Sequence, residues 1–246
     1  MKLKVLHCSK EGRVEREEEI IEEVPLLVSL NGRRYCTLFR TPGEDEALLV
    51  GMCFTEGLIR ERDEILSIDL QENLADVKVA ARQEKEGEDT EDIIEAIAKR
   101  AAALPKPEGK VGVGQLVECI KVMESSQEFR RRTEASHGAM IFSLDLEPIS
   151  AAEDVGRHNA FDKAIGKALL RGRLRDAFIA ALSSRISFEM AKKAAMAGIR
   201  VVVGISKPTS MAILLGERAG MTITSLAGGK EILVYSGRER ISDCTR

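Results

Sequence analysis

The sequence predicts an α/β protein in which helices pack in layers on a sheet, preceded by a smaller α+β region. From about residue 139 onward, short runs rich in Val, Ile and Ala alternate with segments of helical spacing, a pattern typical of a sheet covered by helices. Before that, strand-like runs flank Asn31-Gly32, which indicates a hairpin. A Pro/Gly-rich connector at residues 106–114 separates the two patterns, so we expect domains at 1–110 and 111–246.

The N-terminal region is predicted to contain both strands and helices. Residues 11–23 are rich in glutamate and predict a solvated entry segment. Thr41 is expected to cap a helix over residues 46–58, with Pro42 at its first position. A charged loop is expected at 82–92. The remaining predicted elements of this region are strands at 25–30, 34–39, 65–70 and 75–80 and a helix at 92–104.

In the second half of the chain, the predicted helices alternate with predicted strands. The predicted helices are 115–132, 162–171, 188–197 and 210–218, and the predicted strands are 139–144, 177–182, 201–205, 222–225 and 232–235. In open α/β sheets, ligands bind outside the carboxyl ends of the strands. We therefore expect functional side chains in the turns that follow strands.

Composition excludes several classes of protein. Hydrophobic residues make up 44% of the 246 residues, and no apolar run reaches the length of a membrane span. The net charge of −3 lacks the basic excess of proteins that grip nucleic acid. The N-terminus has no signal-peptide pattern, so a cytoplasmic location is the default expectation.

The five cysteines are spaced too widely to form a zinc motif. No CxxC or Cys/His cluster is present, so we expect reduced thiols and no zinc. Cys36 and Cys53 lie in apolar surroundings and are expected in the core, whereas Cys244 lies in a polar tail and is expected to be exposed.

The segment 153–166, Glu-Asp-Val-Gly-Arg-His-Asn-Ala-Phe-Asp-Lys-Ala-Ile-Gly, is the richest in chemistry. Arg157, His158 and Asn159 stand where a helix would start, and free N–H groups and the helix dipole attract anions there. One interpretation is a turn that holds a phosphate-bearing or other anionic ligand. The alternative is a capped surface helix with His158–Asp162 and Asn159–Lys163 pairs.

Other turns carry similar side chains. A helix-to-strand junction holds His137. Two strand-to-helix turns hold hydroxyls and cations; their candidate binding residues are Arg185, Ser187, Lys207, Thr209 and Ser210. A P-loop, a dinucleotide-binding GxGxxG and a GxSxG elbow are all absent from the sequence. We expect these turns to converge on one anion-binding edge of the sheet.

Six segments carry a resemblance to a known family: RTPGED at 40–45, FTEGLI at 54–59, TEASHGA at 133–139, EDVGRHNAFDKAIG at 153–166, SSRISFEMAKKA at 183–194 and SKPTSMA at 206–212. On these segments the chain resembles the FdhD family of formate dehydrogenase accessory sulfurtransferases. The resemblance covers most of the chain, from about Pro25 to Tyr235.

The resemblance implies a fold, a cofactor and partners. It implies a cytidine deaminase-like α/β domain without catalytic zinc, a smaller second domain, and a homodimer. It also implies that the protein takes sulfur from a cysteine desulfurase and passes it to the molybdenum cofactor (bis-molybdopterin guanine dinucleotide), which then enters formate dehydrogenase. The anion-binding turns would suit the phosphates of that cofactor.

The sequence departs from the family in two places. The sulfur-carrying loop of the family, Cys-Gly-x-Cys-Gly, is absent, and residues 80–115 contain no cysteine. The nearest thiol, Cys119, is the candidate catalytic residue, although it falls among apolar residues of a predicted helix. A glycine pair of the family is replaced by Glu134-Ala135, which puts a carboxylate near the expected ligand.

Three functions remain open at this stage. The protein is a sulfurtransferase that uses another thiol, or a cofactor- or nucleotide-binding chaperone that transfers no sulfur. The third is a nucleotide-modifying enzyme, against which the missing zinc ligands count.

Overall fold

The protein is built from three sheets and seven α-helices within the residues that the computed structural model describes, 1–80, 90–104 and 107–243. The elements are β1 (Lys2–Ser9), β2 (Gly12–Glu19), β3 (Val24–Leu30), β4 (Arg33–Arg40), α1 (Asp45–Thr55), β5 (Ile65–Gln71), β6 (Leu74–Val79), α2 (Thr90–Ala103), α3 (Val113–Ser126), α4 (Glu128–Thr133), β7 (His137–Phe142), β8 (Pro148–Asp154), α5 (Arg157–Leu170), β9 (Ile179–Arg185), α6 (Phe188–Met196), β10 (Val201–Ser206), α7 (Ser210–Arg218), β11 (Thr222–Ala227) and β12 (Glu231–Ser236). The predicted α/β class is confirmed, while the deaminase-like label stays a prediction.

A six-stranded sheet with the order β12-β11-β10-β9-β7-β8 forms the centre. Strands β9, β10 and β11 run parallel, and β7 runs antiparallel to both β8 and β9. Along β9, Ala180 and Leu182 join the core beneath α5 and α6, whereas Ile179 and Ala181 join a second core beneath α3. Both faces of the sheet are therefore buried, which explains why its strands read as continuous apolar runs.

One edge of this sheet collects the turns that the sequence singled out. His137 at the start of β7 is paired with Asp154 at the end of β8, and Arg185 at the end of β9 with Ser206 at the end of β10. We call this edge the rim and define it as residues 136–138, 154–159, 183–188 and 206–210. The topology thus confirms that turns far apart in sequence share one edge.

Helices α1 and α5 cross with their backbones almost in contact. A Cβ atom on Gly51 would overlap the carbonyl oxygen of Asp162, and a Cβ atom on Gly166 would overlap that of Ala47. Only glycine permits this approach. As a result, one hydrophobic core contains α1 residues such as Leu48 together with α5 residues such as Ile165. The domain boundary at residue 110 stays a prediction.

The predicted cap of α1 by Thr41 is wrong, although the helix starts within one residue of the predicted position. The helix begins at Asp45, after Glu44 in the left-handed region with φ 57°. Thr41 is buried and instead joins the rim: its N–H donates to Asp154 (3.1 Å), and its hydroxyl accepts from the N–H of Val155 (3.1 Å). Tertiary contacts thus replace the local cap.

Four further elements differ from the prediction. Residues 2–9 form strand β1, where no element was predicted. Residues 12–19 form a strand that pairs with β1, where the sequence predicted a solvated entry segment. The helix predicted over 115–132 is broken at Gln127, whose φ of −80° and ψ of 91° separate α3 from α4. Strand β8 was missed, because its apolar residues are few. The hairpin at Asn31-Gly32 is confirmed, with φ of 52° and 75°. Most of the loop predicted at 82–92 lies outside the described residues.

Among the helices of the described residues, none has both the length and the apolar character needed to cross a bilayer.

Candidate functional site

Helix α5 begins at the rim with a first turn that no side chain caps. It starts at Arg157 after Gly156, five residues earlier than the helix predicted from residue 162. Its first turn contains no acidic residue. The alternative of a surface helix with i,i+4 pairs is wrong, because Asp162 and Lys163 are buried and pair with Lys193 and Asp154.

Helix α6 begins beside it, also without a side-chain cap. Ser187 is the N-cap residue, but its hydroxyl makes no cap hydrogen bond. Within the described residues, Ser187 Oγ is buried and has no partner, and the same holds for Arg157 Nε and His158 Nε2. Buried polar atoms are rarely left unsatisfied in proteins, so three such atoms at two adjacent helix starts point to a ligand.

Three other helices have their first turns covered from within the protein. Asp243 accepts from the N–H of Val113 in α3 at 2.8 Å, and Glu153 accepts from two N–H groups of α4 at 2.8 and 3.0 Å. Thr209 accepts from the N–H of Ala212 in α7 at 3.4 Å. Helix α1 lacks a cap but carries Asp45 and Glu46 in its first turn, which repel anions. The starts of α5 and α6 are thus the best placed to receive an anion.

Positive charge and burial dominate the electrostatics of the rim. The pKa of His158 is lowered to about 4, mainly by burial, then by the charges of Arg157 and Lys193. The pKa of His137 is also lowered, again by burial first and then by Arg157 and Arg130. Both imidazoles are therefore neutral at pH 7 and act as hydrogen-bonding groups. Glu189 adds one acidic group to the first turn of α6, where Lys192 lies 3.8 Å from it.

His137 lies on the same rim and contacts Ser183. Its Nδ1 is 3.4 Å from Ser183 Oγ, which also accepts a 2.8 Å hydrogen bond from the N–H of Gly138. The side chain of Gln127 packs so closely on Gly138 that a Cβ atom there would lie 2.6 Å from its Cδ. Gln127 Nε2 is buried and without a partner among the described residues. The rim therefore extends to the α3 side of the sheet.

The remaining predicted site residues divide into two groups. Asn159 is buried, and its amide donates to the carbonyl of Phe39 (2.6 Å) and to Asp154 (3.0 Å), so it ties the rim to β4. Thr209 is occupied as a helix cap. Arg185, Lys207 and Ser210 are exposed at the rim. The ligand contacts of all these residues stay predictions.

Cys119 is unsuited to carry sulfur. It lies within α3 and is 2% exposed, packed in the core that α3 shares with the sheet. Burial, with a smaller contribution from Glu118, raises the pKa of its thiol to about 12, whereas a persulfide carrier needs an accessible thiolate. Cys53 is buried as predicted, Cys36 is only half-buried, and Cys244 lies outside the described residues.

At residue 134, where the chain has glutamate in place of the glycine of the family, the backbone adopts a conformation that favours glycine. Glu134 follows α4 in the left-handed region with φ 57°, a conformation that favours glycine. Its side chain is exposed. The glycine that the family places here suits this turn.

A buried ion pair beneath the rim, between Lys193 and Asp162, was not predicted from the sequence. Lys193 Nζ lies 2.8 and 2.9 Å from the two carboxylate oxygens of Asp162, and Thr55 Oγ1 donates to the same carboxylate at 2.8 Å. The helical spacing could have predicted that Lys193 is buried, because it lies three residues after Met190 and four before Ala197, and both of these are buried.

Among the described residues no metal cluster competes with the rim, whereas several surface cavities lie away from it. In those residues, no group of three or more His, Cys, Asp or Glu side chains is arranged to hold a metal ion. A cavity of about 390 Å³ lies at the opposite ends of α5 and α6, lined among others by Phe54, Leu169 and Ala197.

Together these features define an α/β protein that presents a positively charged rim with two uncapped helix starts. Comparison with known proteins agrees with this class. The sequence profile of the FdhD/NarQ family matches residues 21–242, and the chain belongs to this family.

Individual relatives match over nearly the whole chain. The chain is 31% identical over 255 residues to the sulfur carrier protein FdhD of Thermoplasma volcanium, covering 94% of this chain and 91% of that protein. It is 32% identical over 267 residues to the FdhD of Anaeromyxobacter sp. strain K, with the same coverage of 94% and 91%. A solved structure of a candidate formate dehydrogenase accessory protein from Desulfotalea psychrophila superimposes with a TM-score of 0.81 at 24% identity, over 98% of this chain and 99% of that one. This last likeness supports the fold.

Proposed function

We propose that the protein is a maturation factor for a formate dehydrogenase that holds the molybdenum cofactor at the rim as its cargo. The cargo is anionic, because bis-molybdopterin guanine dinucleotide carries phosphates. Arg157, His158 and Ser187, with the free N–H groups of α5 and α6, would bind these phosphates or the guanine edge. The single observation that carries this proposal is the trio of buried, unpartnered polar atoms at the starts of α5 and α6.

The residues at the rim fit such a cargo. Cationic and neutral donors converge there, and the neutral His158 adds a hydrogen-bonding group that can read a heterocycle. The names of the relatives, sulfur carrier protein FdhD, support a role in the same maturation pathway. In this proposal the protein acts in the cytoplasm as a homodimer, downstream of a cysteine desulfurase and upstream of formate dehydrogenase.

Nucleotide binding tests the proposal. Titration calorimetry with guanosine diphosphate should show binding to the wild-type protein, and Arg157→Ala should weaken it by about 1–3 kcal/mol through loss of a charge-assisted contact. Ser187→Ala should also weaken binding while leaving stability intact, because Ser187 caps nothing. Arg33→Ala, an exposed arginine on β4, is the matched control and should bind as the wild type does. Unchanged affinity in a folded Arg157→Ala variant would remove Arg157 from the site.

Sulfur transfer is the second candidate function, favoured by the name of the relatives. Among the described thiols, Cys8 on β1 is exposed, and it faces Arg13 across the ribbon. Cys53 and Cys119 are buried, and burial raises the pKa of each to about 12. If the chain carries sulfur, we expect Cys8 or Cys244 to hold the persulfide.

Persulfide mapping separates the two functions. The protein is incubated with a cysteine desulfurase and cysteine, and each thiol is then analysed by mass spectrometry. Cofactor binding without any persulfide supports the pure binding function. A persulfide that disappears in Cys8→Ser or Cys244→Ser supports transfer, and one that disappears in Cys119→Ser would contradict the structural assignment of Cys119 to the core.

A further inference from the structure

We propose that the buried Asp162–Lys193 ion pair is a positioning device that sets the spacing between the starts of α5 and α6, and thereby the affinity of the rim for its anion. This inference rests on the proposed function. It assigns to Asp162, Lys193 and Thr55 a role in a site that none of them touches.

The pair joins the two helices at matching depth below the rim. Asp162 lies five residues after Arg157, and Lys193 lies six residues after Ser187, which places both about 7–9 Å below the helix starts. Lys193 Nζ binds both oxygens of Asp162, at 2.9 and 2.8 Å. A shift of one helix along the other would break both contacts at once.

A third helix fixes the pair. Thr55 at the end of α1 donates to Asp162 Oδ1 at 2.8 Å and accepts from Lys193 Nζ at 3.1 Å. Glu56 Oε1 lies 3.7 Å from Lys193 Nζ. Because α1 and α5 touch at Gly51, the end of α1 is itself held rigidly against Asp162. The pair is therefore the joint at which three helices share one set of polar contacts.

Burial makes a purely stabilising role a weak explanation. Both side chains are 5% exposed. Desolvation of two charges offsets most of their attraction, and apolar residues of similar volume often replace such pairs without loss of stability. A geometric role explains why this charge pair lies directly beneath two helix starts with unpartnered polar atoms.

Lys193 also acts on the rim through its charge. Burial is the main cause that lowers the pKa of His158; the cations Arg157 and Lys193 lower it further, and Glu56 raises it. Loss of the Lys193 cation should therefore raise the pKa of His158. The His158 titration therefore reports the charge of Lys193 independently of anion binding.

The experiment compares variants for phosphate affinity. The probe is inorganic phosphate, titrated by calorimetry into the full-length protein. Lys193→Met should bind phosphate at least tenfold more weakly than the wild type, and Lys193→Arg should recover most of the affinity. Thr55→Val, which removes only the hydroxyl, is the milder variant and should give an intermediate loss if Lys193→Met does not fold. Ile120→Ala is the control, because it destabilises the core beneath α3 without contact to α5 or α6.

The outcomes are distinct. Wild-type affinity in both Lys193→Met and Thr55→Val would overturn the inference, and so would an equal loss in Ile120→Ala, since the effect would then follow stability alone. Two-dimensional NMR should show the amide signals of Arg157 and Ser187 shifted in ligand-free Lys193→Met; unshifted signals would contradict the positioning role. Absence of any phosphate or guanosine diphosphate binding by the wild type would instead defeat the proposed function, and this inference with it.

Discussion

The protonation of His158 provides a quantitative test of the rim. The ring is half-buried, and its pKa falls from an ordinary 6.5 to about 4 because of burial and the neighbouring cations Arg157 and Lys193, with a smaller contribution from His137 and with Glu56 acting in the opposite direction. The folded state therefore binds the proton less well than the unfolded state. The resulting stability is complete above pH 6.5 and is lost as the pH falls toward 4.

The magnitude follows from the two pKa values. Between pH 7 and pH 5, linkage with pKa values of 6.5 and 4 gives a loss of about 2 kcal/mol. Because water still reaches part of the ring, we reduce this to about 1–2 kcal/mol. The assay is urea unfolding at pH 7 and pH 5 of the wild type and of His158→Gln, which cannot titrate. His7→Gln, on the exposed β1–β2 ribbon, is the control.

We expect the wild type to lose about 1–2 kcal/mol more than His158→Gln over this interval. Other groups titrate in both proteins, so the difference isolates His158. An equal loss in the two proteins, or an NMR titration that places the pKa of His158 at 6.5 or above, would refute the assignment of this ring to a buried, cationic rim.

Three further predictions concern packing, capping and thiol reactivity. Gly51→Ala should lower the free energy of unfolding by about 3 kcal/mol or more because its Cβ would overlap the backbone of α5, whereas Gly114→Ala has open space and should change stability by less than about 1 kcal/mol; urea unfolding measures both. Thr209→Ala should lose about 1 kcal/mol in the same assay through the lost α7 cap, and unchanged stability would show that the cap is idle. In the native protein, iodoacetamide should label Cys8 within minutes and leave Cys119 unmodified until the protein unfolds; rapid labelling of Cys119 would contradict its burial.

Local signals in the sequence were strong enough to predict most of the fold. The hairpin at Asn31-Gly32 follows from turn chemistry, and the alternation after residue 139 follows from apolar runs separated by helical spacing. The prediction that Thr41 caps α1 was wrong because Thr41 instead makes two tertiary hydrogen bonds, to residues 154 and 155. The prediction of a solvated segment at residues 12–19 was wrong. It relied on their glutamates, whereas pairing with β1 makes these residues a strand.

The site could be predicted only in part. The shared edge of the turns follows from the general rule for α/β sheets, and the structure shows His137 and Asp154 paired there. Which of these side chains are free to bind a ligand does not follow from the sequence, because it depends on which of them already have hydrogen-bond partners in the fold. Thr209 and Ser187 occupy equivalent N-cap positions, yet Thr209 caps its helix and the hydroxyl of Ser187 has no partner within the described residues. Only coordinates distinguish an occupied hydroxyl from a free one.

The near-contact between α1 and α5 has a consequence for folding while the chain is being synthesised. Residues 47–55 of α1 are all buried, and part of their cover is α5, which begins about 100 residues later. At ordinary rates of translation, that delay lasts about 5–20 s. During this interval the four-stranded sheet of β4, β3, β6 and β5 can cover only one side of α1, and the side that carries Gly51, which later packs against α5, remains uncovered. A nascent chain of this protein should therefore be a client of cotranslational chaperones until α5 emerges.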